Sequence, residues 1–471
     1  MITNNNGGHV AVIDIGKTNV KLAIVRLSDL SEIAVVTRPN MVLLGPPYPH
    51  YDVEGHWEFI LIGLSRFQAQ HGIAAITVTT HGAAGAILDH HGGLAAPILD
   101  YEHTEPDKLA ADYDAIRPPF AETGSPHLSM GLNLGAQLHY QFALDPSLKD
   151  RTASIVTYPQ FWGHRLTGVL ATDVTSLGCH TDLWNPYTRQ FSSLPETLGI
   201  AEKIAPARKP SDLLGTITNK IARRTGLPEA TPVYCGIHDS NASLLPHLIA
   251  QNPPFSVVST GTWVIAMAVG GRPVTLDPAL DTLVNVNAFG DPVPSARFMG
   301  GREHDIALGG TISPAGDADV EYILKKQIML MPALVSQTGP FVGAKSRWLG
   351  SEPPVDTGQR CAAVGLYLAL VTARCLALVG HEGPVIVEGP FARNATFLSM
   401  LGVAASSAVI PMRSATGTSP GAALLVTGHR SLGSRYDPWP SPRKELEVLL
   451  HDYAALWKSQ ANEHSGFGAS D

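Results

Sequence analysis

"HVAVIDIGKTNVKLAIV", residues 9–25, places two apolar runs, Val10–Ile13 and Val20–Val25, on either side of a short insert, Asp14-Ile15-Gly16-Lys17-Thr18-Asn19. β-Branched residues around a glycine-containing turn are the usual mark of a β-hairpin. The insert is not a P-loop, which needs several glycines ahead of its lysine and a helix behind it. Here a second strand follows. The same device returns at residues 255–269, "FSVVSTGTWVIAMAV", with Ser259-Thr260-Gly261-Thr262 at the bend. Two such hairpins, one in each half of the chain, predict a duplicated architecture. Glycine lets backbone N–H groups approach a ligand closely, hydroxyls add donors, and such turns form concave nests for anions. Lys17 and Lys21 can add point charges to the same anion. The pair of turns predicts a phosphate gripped between two halves.

Composition narrows the function classes. With 471 residues the chain can build two or three domains, each with its own core. Hydrophobic and charged fractions of 44% and 16% are those of a globular protein. A net charge of −8, with no basic cluster, argues against a nucleic-acid partner. The opening "MITNNNGG" carries no basic-then-apolar leader, so a cytoplasmic location is expected. "CAAVGLYLALVTARCLALVG", residues 361–380, has the length of a membrane span. Arg374 interrupts it and Gly380 sits where a helix would end, so a buried core helix is expected and no membrane association. Cys179, Cys235, Cys361 and Cys375 lie far apart without CxxC spacing and read as free thiols.

Strand patterns occupy residues 9–37, a helical pattern about 57–70, and a strand 75–79. A helix-rich stretch is expected over about 106–168, a short strand over 233–237, and a helix from "DSNASLL" onward. After the second hairpin come a long helix near 359–380, a strand at 385–388, a helix near 394–402, a strand at 407–410 and a core helix near 419–427. Strands alternating with helices imply α/β layers. The Pro-rich connector "AQNPPF" places the boundary between halves near 251–254, giving domains 1–250 and 251–471. Residues 300–357, rich in Gly, Pro and charge, carry no clear pattern, and the tail after about 460 is expected to fray.

A duplicated α/β unit with a phosphate-gripping hairpin in each copy describes the ribonuclease-H-like ATPases of the actin and hexokinase type, which carry a cleft between two domains. Within that group the chain resembles the FGGY carbohydrate kinase family, its rhamnulokinase-like branch more than its glycerol kinases. "DIGKTNVK" resembles the first phosphate motif, "YCGIHDSNA" the catalytic motif, "STGTW" the second phosphate motif, and "VEGPFARN" with "TSPGAALL" the adenosine motif. The order and spacing of these motifs, from Asp14 to about Gly428, carry the likeness.

The resemblance implies roles that the residues alone leave open. Asp239 follows a buried strand and opens a helix, so an N-cap is one reading. The family makes it the general base that takes a proton from the sugar hydroxyl, and a second ligand of the metal. Asp14 suits a hairpin entry; the resemblance makes it a Mg²⁺ ligand through water. Lys21 stands where the family has Arg, and Lys17, where it often has Thr or Ala, is either a phosphate contact or a solvated turn residue. Gly16, Lys17, Thr18, Asn19 and Lys21 with Ser259, Thr260, Gly261 and Thr262 are the expected phosphate-binding set. Gly389, Pro390, Phe391 and Asn394 replace the family's glycine run at the adenosine site, with Glu388 beside the ribose and Phe391 able to stack on adenine or to fill core.

His81 and Gly82 end a strand in the loop that touches sugar in the family. His81 stands where the rhamnulokinase branch has Trp and Ala84 where it has Asp, which argues against rhamnulose. His238 can donate to the sugar, donate to Asp239, or simply pack. Asp52 and Glu54 of "DVEGHWEF" lie in a stretch that flanks the sugar in relatives. "GGREHD", residues 300–305, reads as a polar loop without zinc-site spacing. The expectation is an ATP- and Mg²⁺-dependent kinase acting on a hydroxyl of a small ketose or polyol, with room for a homodimer. An ATP-driven conformational protein and a degenerate sugar-sensing homologue of the same fold are the rivals.

Overall fold

The computed structural model describes residues 8–310, 313–412, 417–428 and 436–465. Two compact units emerge: Met1–Ala250 with Val284–Pro292 and Thr416–Ser434, and Gln251–Leu283 with Val293–Ala415 and Arg435–Asp471.

In the first unit β1 (His9–Ile15) and β2 (Asn19–Arg26) pair antiparallel, with Ile15 opposite Val20 and Asp14 opposite Lys21. β1 is buried almost throughout, which is why its sequence runs apolar without alternation. β3 (Glu32–Pro39) extends the meander as a more exposed edge. α1 (Val53–His71) begins at Val53 rather than near Trp57, because the Asp52 carboxylate accepts the Gly55 N–H at 3.0 Å. A Cβ at position 55 would stand 2.0 Å from that carboxylate, so glycine keeps the cap. β4 (Ala75–Thr80) then lies parallel to β1.

The expected helix-rich stretch is interrupted by a strand, Ser154–Thr157, paired with Gly85–Leu88, before α2 (Tyr158–Thr167). After β5 (Leu213–Thr216), the single strand expected at 233–237 is two: β6 (Pro232–Tyr234) and β7 (Ile237–His238). The break falls at Gly236, whose φ of +94° and 2.6 Å Cβ approach to the Val78 carbonyl admit only glycine. α3 (Asp239–Ala250) follows at once. Sheet order is β5-β6-β4-β1-β2-β3, with β7 also against β4. The short helix Thr418–Leu424 crosses α3 so tightly that a Cβ at Gly421 would meet the Ala242 carbonyl at 1.8 Å.

The second unit repeats the plan. β8 (Phe255–Thr260) and β9 (Val264–Val269) form the second hairpin, and β10 (Pro292–Phe298) continues the antiparallel meander. Residues 300–357, unreadable as a pattern, hold α4 (Gly300–Leu308), α5 (Asp317–Lys326) and a small hairpin of β11 (Met329–Met331) with β12 (Arg347–Leu349). α6 (Gly358–Leu378) has a mean hydropathy of 1.9 over its most apolar window, enough for a membrane span. Its residues from Ala362 to Leu376 are core of this unit instead. β13 (Val385–Glu388) lies parallel to β8, and after α7 (Ala395–Ala405) β14 (Val409–Pro411) lies parallel to β13. The order β10-β9-β8-β13-β14 matches β3-β2-β1-β4-β6 strand for strand and direction for direction. A last helix, α8 (Lys444–Ser465), runs past the point where fraying was expected; residues 466–471 lie outside the described residues.

Candidate functional site

In the first unit the polar groups gather where β1, β4 and β7 end. The first turn is closed by the Gly16 N–H donating to the Asn19 carbonyl at 2.9 Å, and Asn40 braces it by donating from its side chain to the Gly16 carbonyl at 2.8 Å. Thr18 and Asn19 are exposed; Gly16 is half-buried. Lys17 turns to one side of the bend. Its ammonium pairs with Asp100, lies 3.2 Å from Glu102 and stands over the Tyr101 ring at 4.8 Å. Lys21 bridges Asp14 at 3.2 Å and Glu32 at 3.1 Å. Asp14 is buried; Oδ2 accepts from Thr418 and, at 3.3 Å, from Ser419, while Oδ1 takes no donor among the described residues. Asp52 and Glu54 are occupied by Arg38 at 2.9 Å and Arg165 at 2.7 Å, as cap and surface ion pair.

His81 follows β4, its backbone N–H held by the Ile15 carbonyl at 2.8 Å. Its ring is enclosed by Tyr51, Tyr101 and Tyr158, each with a centroid 5.2 Å away. Nδ1 bonds the Gly82 carbonyl at 2.8 Å, and the buried Nε2 has no partner among the described residues. Burial holds this imidazole neutral, with its pKa pushed down to about 4. His238, at the end of β7, is likewise buried and lowered to about 4 by loss of water. Asp239 opens α3 with 29% of its side chain exposed. Loss of hydration raises its pKa to about 6, and the Asp14 carboxylate adds to the rise. Asp14, His81, Gly82, His238 and Asp239 thus form one constellation, and a carboxylate poised near neutrality is what a general base needs.

The second unit carries the other group. Gly261 closes its turn by donating to the Trp263 carbonyl at 2.9 Å, and Gly301 donates to the Thr262 carbonyl at 3.2 Å. The Thr260 hydroxyl donates to the Glu388 carbonyl and accepts the Phe391 N–H at 3.1 Å, tying the turn to the end of β13. Gly389, at φ +82°, lies so close that a Cβ would fall 1.9 Å from the Thr260 carbonyl. Ser259 sits opposite Glu388 in the sheet register, and Thr262 is exposed.

A cavity of about 1060 Å³ opens here, lined by Gly261, Thr262, Arg302, Phe391, Arg393 and Asn394 among others. Pro390 and His304 also face it, and the His304 and Phe391 rings lie 5.7 Å apart. Asn394 caps α7 by accepting the Phe397 N–H at 3.0 Å. Arg302 and Arg393 form no ion pair among the described residues, unlike Lys17 and Lys21. "GGREHD", expected as a loop, is the first turn of α4; its Glu303 points inward to the Tyr367 hydroxyl at 2.7 Å.

Sequence reasoning missed the three tyrosines around His81, Asp100, Thr418 and Ser419 on Asp14, and Arg302, His304 and Arg393. Among the described residues no cluster of three or more His, Cys, Asp or Glu could hold a metal by itself.

Two copies of one sheet plan, each with its hairpin turn beside a parallel strand, define an α/β protein of the actin and hexokinase type. Residues 9–246 match the N-terminal domain of the FGGY family of carbohydrate kinases and residues 252–434 its C-terminal domain. The chain belongs to the FGGY family. A solved structure described as a carbohydrate kinase from Novosphingobium aromaticivorans is 34% identical, covers 97% of this chain and 99% of its own, and superposes with a TM-score of 0.88. An L-fuculokinase of Salmonella typhi is 30% identical over 205 residues, 42% of each chain. A rhamnulokinase of Bacillus subtilis is 27% identical over 146 residues, 31% of this chain and 30% of its own. The matches to these curated relatives thus span less than half of their length.

Proposed function

We propose that the protein transfers the γ-phosphoryl group of ATP to a hydroxyl of a small neutral sugar, a ketose or related polyol, with Asp239 as general base. The observation that carries this reading is the Asp239 carboxylate itself. It stands at a helix start, partly exposed, with a pKa raised to about 6, in the same group as His81, whose Nε2 has no partner among the described residues. Family membership supplies the reaction class; this arrangement supplies a group able to perform it.

The sugar binds at the first unit, with His81, Gly82 and His238 around it. Two carboxylates, Asp100 and Glu102, hold the Lys17 ammonium, and this balance suits an uncharged substrate better than a sugar acid. Asp239 removes the hydroxyl proton as the sugar oxygen attacks the γ-phosphorus, the bond to the bridging oxygen breaks, and ADP leaves. Closure that excludes water would favour transfer over hydrolysis.

The second unit's cavity fits a nucleotide in size and chemistry. Gly261 and Gly301 line it, Arg302 and Arg393 offer charge, and Phe391 with Asn394 and Pro390 frames a base. Ser259, Thr260 and Thr262 belong to the turn beside that cavity, and Gly16, Thr18 and Asn19 form the corresponding turn of the first unit, each offered to phosphate. Lys21 acts beside Asp14, and Lys17 belongs to the sugar side.

Mg²⁺ typically takes one or two protein carboxylates and completes its shell with water and phosphate. Asp14, with Oδ1 unengaged, and Asp239 suit that role. The ion would neutralise phosphate charge; the residues hold and orient. Coupled detection of ADP release across ketoses, aldoses and polyols with Mg-ATP tests the proposal. Hydrolysis of ATP indifferent to every sugar would sink it and favour an ATP-driven conformational protein.

A further inference from the structure

We infer that Glu303 is a positioning residue for the nucleotide: its buried carboxylate sets how α4 faces the second unit's cavity, and so where Arg302 and His304 stand in it. The inference rests on that cavity being the nucleotide site. Arg302 and His304, with Gly301, line the cavity. Glu303, between them in sequence, turns inward and is only 2% exposed. Its Oε1 accepts the Val335 N–H at 3.0 Å, and Oε2 accepts the Tyr367 hydroxyl at 2.7 Å. Tyr367 is buried in α6, so both carboxylate oxygens tie the helix to the interior of the unit.

Packing alone gives α4 a weak hold. Its buried apolar side chains are Ala307 and Leu308, both in the last turn. There Arg360 adds a second tie, donating from Nε to the Ala307 carbonyl at 2.6 Å. In the first turn the contacts are made by glycine. A Cβ at Gly301 would stand 2.1 Å from the Gly261 carbonyl, and one at Gly300 would stand 2.5 Å from the Val264 side chain. Such contacts set how closely helix and bend approach, but they offer no side chain to stop the helix turning about its axis. Glu303 supplies that stop.

The choice of residue argues against a purely structural role. A carboxylate withdrawn from water is costly, and apolar side chains of similar size often stabilise such a place as well or better. Burial raises the Glu303 pKa, and the Tyr367 and Val335 donors offset this only in part. What leucine could not supply is direction. Two hydrogen bonds with preferred angles hold the helix in one rotation, whereas apolar contact is non-directional.

Titration calorimetry with ADP on the intact protein, alongside thermal unfolding, separates aim from support. Glu303→Leu should weaken ADP about three- to tenfold while the unfolding temperature holds or rises. Glu303→Gln, which can still accept from Val335 and bond Tyr367, should recover most of the affinity. Tyr367→Phe cuts one tie, leaves the other, and should weaken ADP about two- to threefold. In an Arg302→Ala, His304→Ala background, Glu303→Leu should change ADP affinity by less than about twofold, because its effect travels through those two side chains. Wild-type affinity in Glu303→Leu would overturn the inference, as would an undiminished loss in that background. Should Glu303→Leu not fold, wild-type affinity in Tyr367→Phe overturns it instead. If the wild-type protein binds no ADP, the nucleotide reading fails and this inference with it.

Discussion

The two hairpin turns occupy equivalent places in equivalent sheets, yet they are built differently. The first is a turn of side chains: Lys17 is neutralised by Asp100 and Glu102, Lys21 by Asp14 and Glu32, and His81 fills the step after the parallel strand. The second is a turn of backbone. Gly261 packs on Gly301 and Thr260 on Gly389, and the nearby cations, Arg302 and Arg393, have no carboxylate to hold them among the described residues. Duplication thus supplied two anion-sized bends. On the proposed reading, the bare backbone of the second suits a polyanion, and the charged, mutually satisfied side chains of the first suit a neutral, hydroxyl-rich molecule.

The largest test of that division is Asp239→Asn, which keeps shape and removes the proposed base. It should lower kcat about 10²- to 10⁴-fold while KM for ATP changes little. A variant retaining wild-type turnover would remove the chemistry from the first unit. Next come the glycines of the turns. Gly301→Ala drives a Cβ to 2.1 Å from the Gly261 carbonyl, whereas at Gly16 the nearest atom is 3.5 Å away. The first change should cost roughly 1–3 kcal/mol of stability and raise KM for ATP, the second less than about 1 kcal/mol. Equal effects in thermal unfolding would erase the contrast between the bends. Arg302→Ala with Arg393→Ala should weaken ATP about tenfold, equivalent to about 1.4 kcal/mol. Lys17→Met should leave ATP affinity near wild type and alter KM for the sugar instead. Isothermal titration with ADP and sugar-dependent kinetics distinguish the two.

The smallest effect concerns pH. His56 is fully buried, bonds Asn40 at 2.7 Å, and has its pKa lowered to about 4 by burial and by Arg38. The unfolded chain therefore takes up a proton between about pH 6.5 and 4 that the folded unit refuses, so acidification destabilises the first unit. At pH 5 this amounts to about 1–2 kcal/mol. His56→Gln, which keeps a donor toward Asn40, should narrow the loss between pH 7 and 5, read by hydrogen exchange of β1–β4.

Both hairpins were legible because strands buried on both faces read as unbroken apolar runs, and those runs bracket the turns that matter. α6 was legible for the same reason. α8 carried a readable signal, Leu446, Leu450, Tyr453, Trp457 and Ala461 at helical spacing, and four of these are buried. The start of α1 was hidden by its dependence on one capping carboxylate. α4 buries few apolar residues, so it leaves little periodicity to read. Asp239, Asp14 and His81 could be named from motif order. The cage around His81 could not, since Tyr51, Tyr101 and Tyr158 converge only through the fold. The inward turn of Lys17 follows from Asp100 and Glu102, distant in sequence and silent as a pattern.

The hydroxyls that hold Asp14, those of Thr418 and Ser419, stand 404 and 405 residues further along the chain. The helix carrying them also covers α3 through the contact at Gly421. A nascent chain halted after Ala250 would leave that face of α3 bare and Asp14 without those two hydroxyls. Such a fragment should be insoluble or protease-sensitive, and adding residues 416–434 in trans should rescue it if the seam is what it lacks. The surroundings of Asp14 are thereby completed only after Thr418 and Ser419 have been made.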